Sequence, residues 1–112
     1  MHETALMQGV LDIVTEKLLE NKLTRLKKIK LVVGEMSGAI PDALRFAFEA
    51  SIAGTNYPEA ELEIEEVRAE AECRLCKATF PYEPGMSCPE CDGFAPRLIK
   101  GEELFIEYID AE

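Results

Sequence analysis

Two closely spaced pairs of cysteines constrain what this chain can fold into more than any other feature. Cys73 and Cys76 enclose two residues, eleven residues follow, and Cys88 and Cys91 enclose two more. Two intervening residues let one turn present both sulfur atoms to a single ion, at about 2.3 Å each for zinc. The pattern therefore predicts one tetrahedral site of four thiolates that holds zinc in a structural role. Rubredoxin-like iron, redox dithiols and disulfides are the alternatives that the spacing leaves open.

The segment that carries the cysteines, residues 69–100, has too few apolar side chains to fold unaided. Metal binding is expected to drive its folding, and four cysteine ligands leave no open coordination position for catalysis. Pro84 and Gly85 indicate a chain reversal between the two cysteine pairs. The stretches from Thr79 to Tyr82 and from Arg97 to Ile99 are predicted to form short strands of a ribbon.

Hydrophobic periodicity in the rest of the chain predicts an α+β fold. Apolar residues recur with helical spacing in two stretches, residues 3–20 and from Pro41 to near Gly54. Apolar residues characteristic of strands occupy three more stretches, residues 29–35, 61–65 and 103–109. We therefore expect two helices packed on a small mixed sheet of about three strands, with a zinc-ribbon-like segment inserted before the last strand. The expected domains are residues 1–68 plus 101–112, and residues 69–100.

Charge and hydropathy exclude several classes of protein. The chain carries 22 acidic and 12 basic side chains, which gives a formal net charge of −10. A chain this acidic repels phosphate backbones, so nucleic-acid binding is not expected, and the basic residues between Lys22 and Lys30 are interpreted as a solvated helix end and loop. No apolar run approaches the roughly 18 residues that span a bilayer, and no secretory signal is visible. We expect a cytoplasmic protein, whose reduced thiols favour metal ligation over disulfides.

The amino terminus carries a second candidate metal site around the only histidine, His2. The α-amine of Met1, the deprotonated amide nitrogen of His2 and its imidazole can chelate one ion in fused small rings. The amide nitrogen of Glu3 or a nearby carboxylate is a candidate fourth ligand. Such planar, nitrogen-rich ligation suits Ni(II) or Cu(II), and binding should weaken as the pH falls because the nitrogens must lose protons. On the residues alone, an exposed histidine before a helix is the simpler interpretation.

Several short motifs occur together, in one order, over essentially the whole chain. They are Met1-His2-Glu3, Gly34-Glu35, Phe46-Ala47-Phe48-Glu49, the Cys73/Cys76 and Cys88/Cys91 pairs, and Gly101 followed by Glu103-Leu104. In this order the chain resembles the HypA/HybF family of nickel-insertion accessory proteins of NiFe-hydrogenase maturation. Each motif alone is modest, but their joint order is specific.

The resemblance implies a nickel metallochaperone rather than an enzyme. Ni(II) would be transient cargo at Met1, His2 and Glu3, with Asp42 as a further candidate ligand, whereas zinc would be structural. The implied partners are a HypB-type GTPase and the large subunit of NiFe-hydrogenase, and in some organisms urease accessory proteins. A homodimer is a further assembly left open. The residues agree that no enzyme is expected, since they offer no evident nucleophile or phosphate loop.

Two other functions compete with this interpretation. A zinc-ribbon module that binds nucleic acid would need a basic surface, and few basic residues lie near the cysteines, namely Arg74, Lys77, Arg97 and Lys100. A zinc-stabilised protein-interaction adaptor would have no second metal site. It predicts that His2→Ala leaves function intact, whereas substitution of the cysteines abolishes function.

Overall fold

Two helices form at the places that hydrophobic periodicity predicts. The structure is a computed structural model and describes residues 3–112. Helix α1 spans Glu3–Glu20 and α2 spans Pro41–Ile52, with Pro41 in the first turn, where its missing N–H is not needed. The side chains of α1 that are buried recur every three or four residues and form one apolar face: Met7, Val10, Leu11, Val14 and Leu18.

Within residues 3–112, six strands accompany the helices in two separate sheets. In chain order they are β1 Leu26–Gly34, β2 Glu61–Val67, β3 Glu70–Glu72, β4 Thr79–Pro81, β5 Arg97–Lys100 and β6 Leu104–Ala111. The first sheet has the order β2-β1-β6, and the second has the order β4-β3-β5. Strand β1 pairs in parallel with β2 and antiparallel with β6. A parallel pair needs a crossover connection, which α2 supplies between β1 and β2.

The central strand β1 sends alternate side chains into the main core. Ile29 lies between Leu62 and Ile109 in register, and Leu31 is similarly flanked by apolar residues of the two outer strands. These side chains and the apolar faces of both helices form one buried cluster. The helices therefore cover a single face of the sheet.

The opposite face of the first sheet is charged, and a lysine lies at its centre. The ammonium of Lys30 contacts three carboxylates, those of Glu65 at 3.1 Å, Glu107 at 3.2 Å and Glu63 at 3.6 Å. Hydrogen bonds to Glu65 and Glu107 raise the pKa of Lys30 above its ordinary value. Tyr108 lies on the same face, with its ring centroid 5.9 Å from the ammonium. Glu63 also pairs with Lys28 at 3.3 Å, so three carboxylates face two lysines and this face keeps a small negative excess.

The cysteine segment has its own small core, distant from the main one. Its buried members are Ala71, Cys73, Phe80 and Cys88. The molecule is elongated, with extents of 55 × 24 × 16 Å and a radius of gyration of 17.8 Å, against about 13 Å for a compact chain of this length. Among the described residues, neither helix is long and apolar enough to cross a bilayer.

The two sheets meet at the turn that follows β1. The N–H of Gly34 donates to Glu103 at 2.6 Å, and the N–H of Met36 donates to the carbonyl of Gly101 at 2.7 Å. The carboxylate of Glu35 accepts a hydrogen bond from the N–H of Ala69 at 2.8 Å. Both chain segments that lead into and out of the cysteine region are therefore bonded to one turn.

The α+β fold with an inserted four-cysteine segment is confirmed, with differences at the strands. Strand β1 begins at Leu26, three residues before the predicted start, because it continues to pair with β6 there. Strand β3 is not predicted, since Ala71 is the only apolar residue in it and its position depends on pairing with β4 and β5.

Candidate metal sites

The first cysteine pair lies in a tight turn between β3 and β4. The N–H of Cys73 donates to the carbonyl of Ala78 at 2.9 Å, and the N–H of Lys77 donates to the carbonyl of Cys73 at 3.1 Å. Lys77 closes the turn with a φ of 66°. The N–H groups of Leu75 and Cys76 each donate to the sulfur of Cys73 at 3.4 Å. The backbone thus orients this sulfur and favours its thiolate form.

The second pair repeats the same turn. The N–H of Cys88 donates to the carbonyl of Gly93 at 2.9 Å, and the N–H of Asp92 donates to the carbonyl of Cys88 at 2.9 Å. Asp92 has a φ of 61°, and the N–H of Glu90 donates to the sulfur of Cys88 at 3.4 Å. A side chain at position 93 would press on the sulfurs of Cys91 and of the opposite turn, at 3.3 Å each. Glycine there lets the two turns approach each other.

The two turns bring all four predicted zinc ligands together. The sulfur of Cys73 is 3.5 Å from that of Cys91, the sulfurs of Cys76 and Cys88 are 3.7 Å apart, and all four lie within 4.8 Å of one another. A tetrahedral ion with bonds of about 2.3 Å needs ligand sulfurs about 3.8 Å apart, so the spacing fits zinc. The cysteines are free rather than joined in disulfides. An ion with four thiolate ligands stabilises the fold and has no free coordination position for a substrate.

The four thiols do not ionise equally without a cation. The N–H groups of Cys76 and Leu75 stabilise the Cys73 thiolate and lower its pKa to about 6. For Cys91, the N–H of Gly93 lowers the pKa, but the sulfurs of Cys73 and Cys76 outweigh it and raise the pKa to about 12. One thiolate forms readily, and its charge opposes ionisation of a neighbour. A divalent cation removes this opposition, because it attracts all four thiolates.

Two of the three principal nickel ligands predicted from the sequence, Met1 and His2, lie outside the described residues. Glu3, the third, opens α1, and its carboxylate accepts a hydrogen bond from the N–H of Ile40 at 3.4 Å. Ile40 immediately precedes α2. The first turn of α1 therefore contacts the residue that precedes α2.

Asp42, the further candidate ligand, lies in the first turn of α2. Its side chain is 95% exposed and forms an ion pair with Arg45 at 3.2 Å. The pair is a surface contact within one helix, of a kind that contributes little to stability. Asp42 can therefore turn away from Arg45 at little cost in stability.

Comparison with known proteins places the chain in a family. The family model described as "Hydrogenase/urease nickel incorporation, metallochaperone, hypA" matches residues 1–111. The chain belongs to the HypA family. A hydrogenase maturation factor HypA of Geotalea uraniireducens is 38% identical, and one of Geobacter sulfurreducens is 37% identical, each with all of both chains covered.

Solved structures of HypA proteins share the fold. The solution structure of the nickel metallochaperone HypA from Helicobacter pylori matches with a TM-score of 0.67 and 21% identity, over 99% of this chain and 97% of that one. A second HypA solution structure matches with a TM-score of 0.71 and 20% identity, over 100% and 97%. The family predicted from the sequence motifs is confirmed, as is a maturation factor rather than an enzyme.

One contact that supports the cysteine site gives no signal in the sequence. The guanidinium of Arg74 donates from Nε to the carbonyl of Ala95 at 2.7 Å. Ala95 has a φ of 49°, an unusual value for a residue with a side chain. Glycine or asparagine would have marked this position, whereas alanine does not. This hydrogen bond acts as a clamp that joins the first cysteine turn to the segment that follows the second cysteine turn.

Proposed function

We propose that this HypA-family chain is a nickel metallochaperone of hydrogenase maturation that carries Ni(II) at Met1, His2 and Glu3. The single observation that carries the proposal is the family match, which runs from residue 1 to residue 111 and so includes this segment. The amine of Met1 with the amide and imidazole nitrogens of His2 supplies the nitrogen-rich ligand set that Ni(II) favours. Glu3 completes the site through its amide nitrogen or its carboxylate, and Asp42 is the further candidate.

The position of Glu3 supports this assignment. Its hydrogen bond to the N–H of Ile40 is long, at 3.4 Å, so little is lost if the carboxylate turns to an ion. The first turns of α1 and α2 meet beside it, and the positive ends of helix dipoles favour a carboxylate there. A carrier needs ligands that exchange readily, and Glu3 is only partly buried.

We propose that Cys73, Cys76, Cys88 and Cys91 hold structural zinc, which supplies the cross-link that residues 69–100 need to fold. Two separate cores and two separate sheets support a division into a nickel-binding unit, residues 1–68 plus 101–112, and this zinc-binding unit. The zinc unit then serves as a scaffold. The exchangeable Ni(II) is bound by the separate ligand set of Met1, His2 and Glu3.

The partners that we propose are a HypB-type GTPase and the large subunit of NiFe-hydrogenase. The family description names urease as well as hydrogenase, so urease accessory proteins are a further proposed class. A cytoplasmic location follows from the need for reduced thiols at the zinc site. Self-association into a homodimer stays a prediction, and sedimentation of the purified chain tests it.

Calorimetric titration of the zinc-loaded chain with Ni(II) tests the proposal. The chain with its native Met1 should bind one Ni(II), whereas His2→Ala and a form extended at the amino terminus should bind more than about a hundredfold more weakly. Loss of an outer-shell group already weakens a metal site by roughly 10- to 100-fold, and these changes remove direct ligands. Asp42→Asn keeps the three amino-terminal ligands and tests the further candidate separately.

The outcomes separate the proposed site from its competitors. Equal nickel binding by all four proteins would place nickel elsewhere. Absence of nickel binding by the native chain would favour a zinc-stabilised adaptor without a second metal. A loss in Asp42→Asn as large as that in His2→Ala would make Asp42 a full ligand.

A further inference from the structure

Strand β6 forms an outer edge of the first sheet. Among residues 3–112 it pairs with β1 alone, so its other edge carries unpaired N–H and C=O groups. The strand is eight residues long. A long, uncovered strand edge is a template onto which an extended segment of another protein can add by main-chain hydrogen bonds.

An apolar groove runs along this edge, between α1 and β6. It has a volume of about 550 Å³ and is lined by Leu31, by Leu104 to Ile106, and by one side of α1. Ile13 on the helix is 47% exposed, and Leu104 and Ile106 on the strand are only partly buried. Surface apolar residues that line a groove beside an open strand are typical of a binding site, whereas isolated ones are not.

A glycine that the fold does not need lies in the same groove. Gly9 is in the middle of α1, where glycine is about 0.5–1 kcal/mol less favourable than alanine. A Cβ built on Gly9 meets nothing within 4 Å, so packing within the described chain does not require its absence. Ala5, Gly9 and Ile13 lie four residues apart and form one row along the helix. The small residues of this row leave room for a docked segment to approach the helix backbone.

The charge of the sheet determines what kind of segment would fit. A strand added to β6 would point alternate side chains into the apolar groove and the others onto the open face. On that face Phe105 and Tyr108 lie across from Val32 and Lys30 in register. Glu107 lies there on β6 itself, and together with Glu63 and Glu65 of β2 it faces two lysines, Lys28 and Lys30, which leaves one negative charge in excess. Basic side chains next to exposed aromatic rings would gain both ion pairs and cation–π contacts.

We propose that β6 and the adjoining groove bind an extended segment of a partner protein in which apolar and basic residues alternate. Apolar side chains of that segment would fill the space beside Gly9, and basic side chains would lie over Phe105, Glu107 and Tyr108. A second copy of this chain is a poorer occupant, because each chain has a net charge of −10 and two β6 strands would bring two acidic faces together.

Peptide binding to the full-length, zinc-loaded chain tests this inference. A fluorescent peptide of about eight residues that alternates valine and arginine should bind, as measured by anisotropy. The matched peptide with glutamate in place of arginine should bind more than about tenfold more weakly, because like charges would then lie together. Amide hydrogen exchange in β6 should slow when the arginine peptide is bound.

Two variants locate the site without disturbing the fold. Gly9→Leu fills the groove and raises helix propensity, so it should leave the melting temperature unchanged or higher while weakening peptide binding more than about tenfold. Gln8→Leu adds the same side chain one residue away, at an exposed position that does not line the groove, and should leave binding intact. Nickel titration should be unchanged in both, so failure here and failure of the nickel site are distinguishable.

Three results would overturn the inference. Equal binding of the two peptides would remove the charge argument. Peptide binding that survives Gly9→Leu would place the site elsewhere. Self-association of the native chain that Gly9→Leu abolishes would make a second copy the occupant.

Discussion

At the residue scale, two glycines set how closely the two sheets approach each other. A Cβ on Gly34 would overlap the carbonyl of Gly101, and a Cβ on Gly101 would lie 2.7 Å from the Cα of Ala69. Gly101 also has a φ of +115°, which residues with side chains rarely adopt. In both cases the obstacle is backbone, which cannot rotate away as a side chain can. These positions tolerate no other residue without movement of the junction.

Alanine substitutions at Gly34 and at Gly9 should therefore have opposite effects on the free energy of unfolding. Gly34→Ala forces the chain segments at the junction apart and should lower the free energy of unfolding by about 1–3 kcal/mol. Gly9→Ala adds a methyl group in open space within a helix and should raise it by about 0.5–1 kcal/mol. Denaturant unfolding of the two variants measures both changes. A Gly34→Ala protein as stable as the native chain would mean that the junction is loosely packed.

At the scale of elements, a helix or strand can be predicted from the sequence when its own residues carry the pattern that stabilises it. Both helices are predicted because an apolar face recurs within their own residues, and the cysteine spacing predicts that four sulfurs converge. Strand β3 has no such pattern and forms only because β4 and β5 lie on either side of it. The N–H bonds to the sulfur of Cys73 and the clamp from Arg74 to Ala95 are likewise set by turn conformation, which these residue types do not specify.

Removal of zinc should unfold the second sheet and spare the first. The small core around Phe80 includes two of the cysteines and buries too little apolar surface to persist without the metal. Binding of structural zinc is worth roughly 10–16 kcal/mol in small zinc domains, so loss of the ion should unfold the second sheet. Chelation, or Cys76→Ser, should abolish amide protection in β3, β4 and β5, whereas β1 keeps its protection.

Arg74→Ala is the matched control for this experiment. It keeps all four sulfur ligands and removes only the contact with Ala95, so zinc and most of the protection in β3 should remain. Hydrogen exchange followed by mass spectrometry reads both sheets in one sample. Loss of protection in both sheets after chelation would contradict two separable cores, because it would make the main core depend on zinc.

At the scale of the whole molecule, the elongated shape depends on a small junction. The two cores lie at opposite sides of the turn after β1, and the chain passes between them twice, near Ala69 and near Gly101. The carboxylate of Glu35 is the one side chain of this turn that bonds to the segment leading into the cysteine region, through the N–H of Ala69. This junction therefore sets the distance between the two cores.

Glu35→Ala should loosen the junction without unfolding either core. Ala69 is buried, so its N–H would lose its partner, which costs about 1–3 kcal/mol unless the segments separate and admit water. We expect amide exchange at Ala69 to accelerate, protection inside both sheets to persist, and X-ray scattering to show a broader distribution around the radius of gyration of 17.8 Å. Glu35→Gln keeps an acceptor oxygen at the same position and should behave as the native chain. If Glu35→Ala matched the native chain in both measurements, the backbone hydrogen bonds of residues 34–36, which the substitution keeps, would be sufficient to hold the two cores in place.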